Sequence, residues 1–183
     1  SVILPDLSAG CSMADMAQYD DTVAAWNTIH EVVAGRPVRV VPITYVNSSA
    51  AIKAFVGAHG GACCTSSNAK EVFRWAISGG DTPAAPGEEI KVLFLPDQHL
   101  GRNTAAAYGI DVARQTCVYD PVKARRGEGV GGSSPQAVLD ARVILWAGHC
   151  SVHKLFRPEH CEQIRQDEAA LNKTIDDMVL ESG

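Results

Sequence analysis

Val38-Arg39-Val40-Val41-Pro42-Ile43-Thr44-Tyr45 is the stretch that decides the fold. Most of its side chains are β-branched or aromatic, types that lose rotamer freedom in a helix but pack well on a pleated surface. Its apolar character is nearly continuous, as in a strand covered on both faces. Working outward, Val2–Leu4 reads as a strand, and Met13–Val33 carries helical periodicity through Met16, Val23, Trp26 and Ile29. Downstream, Ser48–Ala58 reads as a helix that Ser48 or Ser49 can cap. Ala62–Thr65 is a short buried strand, and Ala69–Ile77 a helix with Asn68 placed to cap it. A Gly- and Pro-rich loop, Gly79–Glu88, leads to the strand Ile90–Leu95. Asn103–Tyr108 reads as helix, Gln115–Tyr119 as strand and Val122–Ser134 as a basic, glycine-rich surface excursion. Val138–Asp140 then leads into the strand Val143–Trp146, and Pro158–Leu171 closes as a helix. Strands separated by helical stretches imply βαβ units. The expected class is α/β: a three-layer α/β/α domain with a parallel sheet.

The composition excludes several functions. The chain has 183 residues, 46% hydrophobic and 20% charged, enough for one well-filled core. A formal charge of −5 without a basic tract argues against nucleic-acid or membrane-surface binding. The apolar runs are far shorter than a membrane span. Ser1–Asp6 lacks the basic and apolar regions of a signal peptide, so a cytoplasmic location is expected. In that reducing compartment the cysteines Cys11, Cys63, Cys64, Cys117, Cys150 and Cys161 serve more naturally as core residues, nucleophiles or metal ligands than as disulfides.

Ligand-type residues gather just after the strands. Cys11 follows the first, Tyr45 and Asn47 the second, and Thr65-Ser66-Ser67-Asn68 the third. Pro96-Asp97-Gln98-His99 and Gly148-His149-Cys150-Ser151-Val152-His153 follow two more. In parallel α/β sheets ligands bind outside the carboxyl ends of the strands, so these loops should converge on one rim. Cysteine is commonly a core residue, and Cys63, Cys64, Cys117 and Cys161 are read that way. Cys11 and Cys150 are flanked by small, turn-forming residues, and for these two core and ligand roles stay equally open. Ser66 and Ser67 are also ordinary capping types, and His99 suits a plain surface histidine. Gly129-Val130-Gly131-Gly132 follows no strand in the dinucleotide-binding pattern and reads as loop.

Five phrases, in order and spacing, resemble the middle portion of the quinolinate synthase family: PDLSAGCSMAD (5–15), YVNSS (45–49), CTSSNA (64–69), FLPDQHLGRN (94–103) and GHCSVH (148–153). The resemblance implies one of three α/β domains around a pseudo-threefold axis, sharing a 4Fe-4S cluster held by one cysteine from each. It implies Cys11 and Cys150 as two of the cluster ligands, with the third cysteine not identified in this chain. It further implies Tyr45, Asn47, Ser66 and His153 as substrate-binding residues, with His153 and Tyr45 catalytic, and His149 behind them. The implied reaction condenses iminoaspartate with dihydroxyacetone phosphate to quinolinate, phosphate and water in NAD biosynthesis. The open iron of the cluster acts in it as a Lewis acid. The implied partners are these small anionic substrates and, as an iminoaspartate source, L-aspartate oxidase, with neither nucleic acid nor membrane. The middle domain is expected over residues 1–165. Residues 166–183 match no phrase expected there and read as a tail, an artificial end or the start of a next domain. The chain alone is expected to be catalytically incomplete. Two other classes fit the same residues. One is a zinc-binding module using Cys11, His149, Cys150 and His153, although this spacing is unusual for structural zinc. The other is a non-catalytic anion-binding domain of the same fold.

Overall fold

The computed structural model describes residues 10–151, 155 and 157–171. The chain divides into two compact units, residues 1–149 and residues 150–183. The first unit contains a five-stranded sheet built from β1 (Val38–Tyr45), β2 (Ala62–Cys64), β3 (Glu89–Leu95), β4 (Thr116–Tyr119) and β5 (Val143–Trp146). The strand order is β2-β1-β3-β5-β4, and every pairing is parallel. Helices α1 (Tyr19–Val33), α2 (Ala50–Ala58), α3 (Ala69–Ile77), α4 (Gln98–Tyr108), α5 (Pro121–Arg125) and α6 (Pro135–Asp140) belong to the same unit. The second unit contains α7 (Pro158–Leu171), whose Gln163 amide donates to Asp167 one turn on, at 2.9 Å.

Alternation along the central strands sorts side chains to two faces. Val40, Leu93, Leu95, Ile144 and Trp146 join a core with Ala25 and Ile29 of α1, Ile52, Phe55 and Val56 of α2 and Val138 of α6. Val41, Ile43, Val92, Phe94, Val143 and Leu145 join Phe73, Ala76 and Ile77 of α3 and Ala105 of α4 on the other side. The three-layer α/β/α class read from the sequence is thus the observed one. Pro42 is tolerated in the central strand because its carbonyl faces Gly61, and its missing N–H lies on that same side. There β2 begins to pair only at Ile43, opposite Ala62.

Several elements differ from the sequence reading. The expected strand Val2–Leu4 lies outside the described residues. The expected helix Met13–Val33 is broken into a 3-10 turn at Ser12–Asp15 and α1 from Tyr19. The cause is competition for carbonyls: the Gln18 amide donates to Asp15 O, and the Trp146 indole N–H to Met16 O, both at 2.8 Å. Those two carbonyls would otherwise accept the next turn of a continuous helix. α4 begins at Gln98, five residues earlier than read, because Asp97 Oδ1 accepts from the amides of His99 (2.6 Å) and Leu100 (3.1 Å). Gly109 closes α4 in the left-handed region at φ 97°.

The surface excursion contains α5, started by the Asp120 cap and Pro121 at its first position. Val138–Asp140 belongs to α6, started likewise by Ser134 and Pro135. Ser49, rather than Ser48, caps α2, while the Ser48 hydroxyl pairs with Thr44 at 2.7 Å. Asn68 occupies the capping position of α3 without capping it, because its side-chain oxygen instead accepts from the amide and hydroxyl of Thr65.

One residue within the apolar run of β3 is a fully buried charge. Lys91 is 0% exposed, and its ammonium donates to Glu89 Oε1 and to the carbonyls of Leu139 and Ala141 at 2.6–2.7 Å. All three ammonium donors are therefore used, and two of them tie β3 to the carboxyl end of α6, where a cation is favoured.

α4 lies close to the sheet because Gly101 has no side chain. A Cβ there would come within 2.7 Å of Leu145 Cδ2 and 2.8 Å of Phe94 Cγ, both in the core. Gly101→Ala is therefore expected to destabilise the fold by about 1–3 kcal/mol despite alanine's better helix propensity. Urea denaturation should show a lower midpoint at unchanged slope.

Candidate functional site

The topology singles out one place. After β1 the chain adds β2 on one side, then crosses to add β3 on the other, so the strand order reverses between β1 and β3. The crevice outside the carboxyl ends of these two strands is where doubly wound sheets bind ligands. Because all five strands are parallel, the loops after each open at that pole, as read from the sequence.

Tyr45 ends β1, half-buried, and Asn47 lies two residues beyond it, also half-buried. Cys11 is exposed, and Asn47 Nδ2 donates to its sulfur at 3.6 Å. This contact places the Cys11 loop beside the end of β1. Ser66 is exposed in the turn between β2 and α3, a turn closed by the Thr65–Asn68 bonds and by Thr65 Oγ1 to Ser67 Oγ at 2.9 Å. His99 is exposed in the first turn of α4. Cys150 opens the second unit and is buried, and His149 is half-buried at the end of the first unit. His153 lies outside the described residues. The geometry thus brings Asn47 onto Cys11, while Tyr45 at the end of β1 packs against the core on the α3 side and Ser66 lies on the neighbouring loop of the same pole.

The electrostatics of this pole are uneven. α2, α3 and α4 all start here and point their positive ends at it. The buried Asp97 carboxylate sits on the start of α4 and offsets it. By contrast α2 has a neutral cap, Ser49, and no acidic residue in its first turn. An anion is therefore best received beside Asn47 at the start of α2.

Three features of the pole were not visible in the residue types. The Trp146 indole holds the Cys11-bearing segment through Met16 O at 2.8 Å. Gln98 N donates to Gly148 O at 3.0 Å, joining the loops after β3 and β5. A Cβ on Gly148 would overlap the Pro96 carbonyl and lie 3.1 Å from Met16 Cβ. A glycine directly before a His-Cys pair was the only sequence signal of this close approach.

The cysteines sort by burial. Cys64 and Cys117 are buried as read, and burial pushes their thiols up to about 12 and about 11. Cys63 and Cys161 are exposed, contrary to their reading as core residues. Cys63 faces away because successive strand residues point to opposite faces, and Cys64 takes the core side. Cys11 suits a metal ligand better than these: a soft sulfur, open to solvent, with an amide N–H directed at it. Among the described residues, no group of three or more His, Cys, Asp and Glu side chains is gathered to hold a metal ion. No helix among them is long and apolar enough to cross a membrane.

Fold and pole together define a parallel α/β domain with a ligand rim at its switch point, furnished with a thiol, an amide and a phenol. The Quinolinate synthetase A protein (NadA) family matches residues 1–175. The chain belongs to this family. It is similar to quinolinate synthase of Herpetosiphon aurantiacus, 49% identical over 173 residues, covering 94% of this chain and 42% of that protein. It is 50% identical over 165 residues to the Acidobacterium capsulatum quinolinate synthase (90% of this chain, 40% of that protein). It is 45% identical over 170 residues to the Rhodopirellula baltica quinolinate synthase (93% and 39%). The chain therefore spans about two fifths of the length of these curated relatives. No solved structure matches it significantly.

Alkylation near pH 8 should label Cys11, Cys63 and Cys161 in the folded protein and spare Cys64 and Cys117. A thiol at about 12 leaves on the order of one thiolate in ten thousand at that pH. Peptide mass spectrometry reads the pattern. Labelling of Cys64 at the rate of Cys11 would contradict the packing described.

Proposed function

We propose that this chain supplies the middle α/β domain of a quinolinate synthase, spanning residues 1–165. The enzyme would condense iminoaspartate with dihydroxyacetone phosphate to quinolinate, phosphate and two waters. Cys11 and Cys150 would be two thiolate ligands of a 4Fe-4S cluster. The observation that carries this reading is the pairing of an exposed Cys11 sulfur with the Asn47 amide at the switch point of a sheet whose family is quinolinate synthetase A. The cluster, when bound, supplies Lewis acidity at an iron that lacks a protein ligand, easing loss of water without net redox chemistry.

The chain's own residues have separate tasks. Both substrates are anions, and the start of α2, with its neutral cap, favours a carboxylate or phosphate there. The Tyr45 phenol, Asn47 amide and Ser66 hydroxyl are directional donors for those oxygens. Half-burial of Tyr45 limits its competition with water. We assign Tyr45 and His153 to proton transfer, His153 by its place three residues after Cys150. Asn47 has two donor hydrogens, so one can bond to the Cys11 sulfur while the other meets substrate. The reaction fits the cytoplasm, with L-aspartate oxidase as the source of iminoaspartate.

Iron and sulfide analysis of anaerobically reconstituted full-length protein tests the reading. Brown protein absorbing near ~400 nm is expected, with the band lost in both Cys11→Ala and Cys150→Ala. A colourless protein holding one tightly bound metal would favour zinc instead. A metal-free protein that binds phosphate and is indifferent to both substitutions would favour the anion-binding reading. With the cluster in place, Tyr45→Phe should lower kcat by about 10²-fold or more while leaving iron content unchanged.

A further inference from the structure

Asp97 is the only buried carboxylate among the described residues, at 4% exposure. It stands two residues beyond Leu95, the last residue of β3 to pair with β1, and so at the mouth of the switch-point crevice. The loop that carries it is fixed, because Gln98 N donates to Gly148 O at 3.0 Å. One carboxylate oxygen, Oδ1, caps α4 by accepting from the amides of His99 and Leu100. The other, Oδ2, accepts from no described residue. None of the ion pairs among the described residues involves Asp97. Lys91, the only buried cation among them, lies six residues back along the same strand, roughly 20 Å away at strand spacing.

Capping does not account for this charge. A cap needs one oxygen, and Ser49 and Ser134 supply it to α2 and α6 without burying a carboxylate. A carboxylate at this depth is costly unless its oxygens find donors. It also repels the anionic groups of both substrates. We propose that Asp97 Oδ2 is a substrate-binding group that accepts the N–H of the nitrogen-bearing substrate, iminoaspartate. A carboxylate is matched best by a nitrogen that can carry positive charge, whereas dihydroxyacetone phosphate offers only a neutral hydroxyl. The carboxylates of iminoaspartate then lie toward the start of α2, and its nitrogen toward the start of α4. The same oxygen sets specificity. Oxaloacetate, formed when water replaces the imine nitrogen, presents a carbonyl that cannot donate and is repelled by Oδ2. The inference rests on the quinolinate synthase reading and adds a specificity-determining residue to it.

The test is steady-state quinolinate formation by full-length, cluster-loaded wild type and Asp97→Asn, with iminoaspartate generated by L-aspartate oxidase and oxaloacetate added as inhibitor. In the asparagine variant the carbonyl oxygen must keep the capping bonds, because the NH2 group cannot accept them. The NH2 then stands where Oδ2 stood, so the helix start is kept while an acceptor becomes a donor. The urea midpoint should match wild type. KM for iminoaspartate is expected to rise about 10-fold or more, with KM for dihydroxyacetone phosphate held within about twofold. Oxaloacetate should inhibit the variant more tightly than wild type, a reversal that a purely structural role would not produce. Unchanged KM for iminoaspartate overturns the proposal, and so does a rise confined to dihydroxyacetone phosphate. If Asp97→Asn does not fold, Asp97→Ser, which keeps a capping oxygen alone, decides by the same pair of KM values. Wild type that forms no quinolinate overturns the quinolinate synthase reading, and this proposal with it.

Discussion

The parallel pairing of β1 with β3 is the constraint on which the rest of the molecule depends. It joins seven consecutive residue pairs, Val38–Glu89 through Thr44–Leu95, the longest register in the sheet. Shifting it by one residue would send Val41 and Ile43 to the face now occupied by Val40 and turn both cores inside out. The same pairing fixes the switch point, because the chain departs to β2 on one side and to β5 and β4 on the other. Tyr45 and Asn47 then emerge next to the loop that Asp97 opens.

The rim is supported by backbone contacts more than by side-chain chemistry. The Met16 carbonyl, the Gly148 carbonyl and the Pro96 carbonyl are each held by, or pressed against, a neighbouring loop. Such contacts define positions closely because buried backbone groups must be paired and have little room to move. The ligand-type residues stand on that frame: Cys11 with the Asn47 amide, Ser66 on the Thr65–Asn68 turn, and Ser48 tied to Thr44 beneath them. The opposite ends of the strands carry a different kind of chemistry. There Lys91 is buried among carbonyls and Arg39 donates to the carbonyls of Gly79, Thr82 and Pro83 and to the Glu88 carboxylate. The guanidinium beside Glu88 holds its carboxyl below the ordinary range. These cations have their donors committed to the fold, whereas the Asn47 amide at the rim reaches the Cys11 sulfur.

Much of this was legible in the residues. β1 and β5 run over Val38–Tyr45 and Val143–Trp146 as read, because runs of β-branched and aromatic side chains state their preference locally. The gathering of polar loops at the carboxyl pole also followed from the order of strands and loops. The errors share a cause. The helix through Met13–Val33 was misread because a distant donor, Trp146, takes a carbonyl that local periodicity assigned to the helix. Asn68 was misread because Thr65 offers its side chain better partners than the amides of α3 do. Lys91 passed as part of an apolar run because nothing in its neighbours announces three carbonyl and carboxylate acceptors.

The sequence by itself determined the α/β class, the strands of the centre, the family and the set of residues with ligand chemistry, since each of these is carried by local pattern or by short phrases. Only the tertiary structure decided which of those residues meet. It put Asn47 on the Cys11 sulfur and made Gly148 the point where three loops close. Those outcomes depend on contacts between segments tens of residues apart, and such contacts exist only after the sheet has fixed its register.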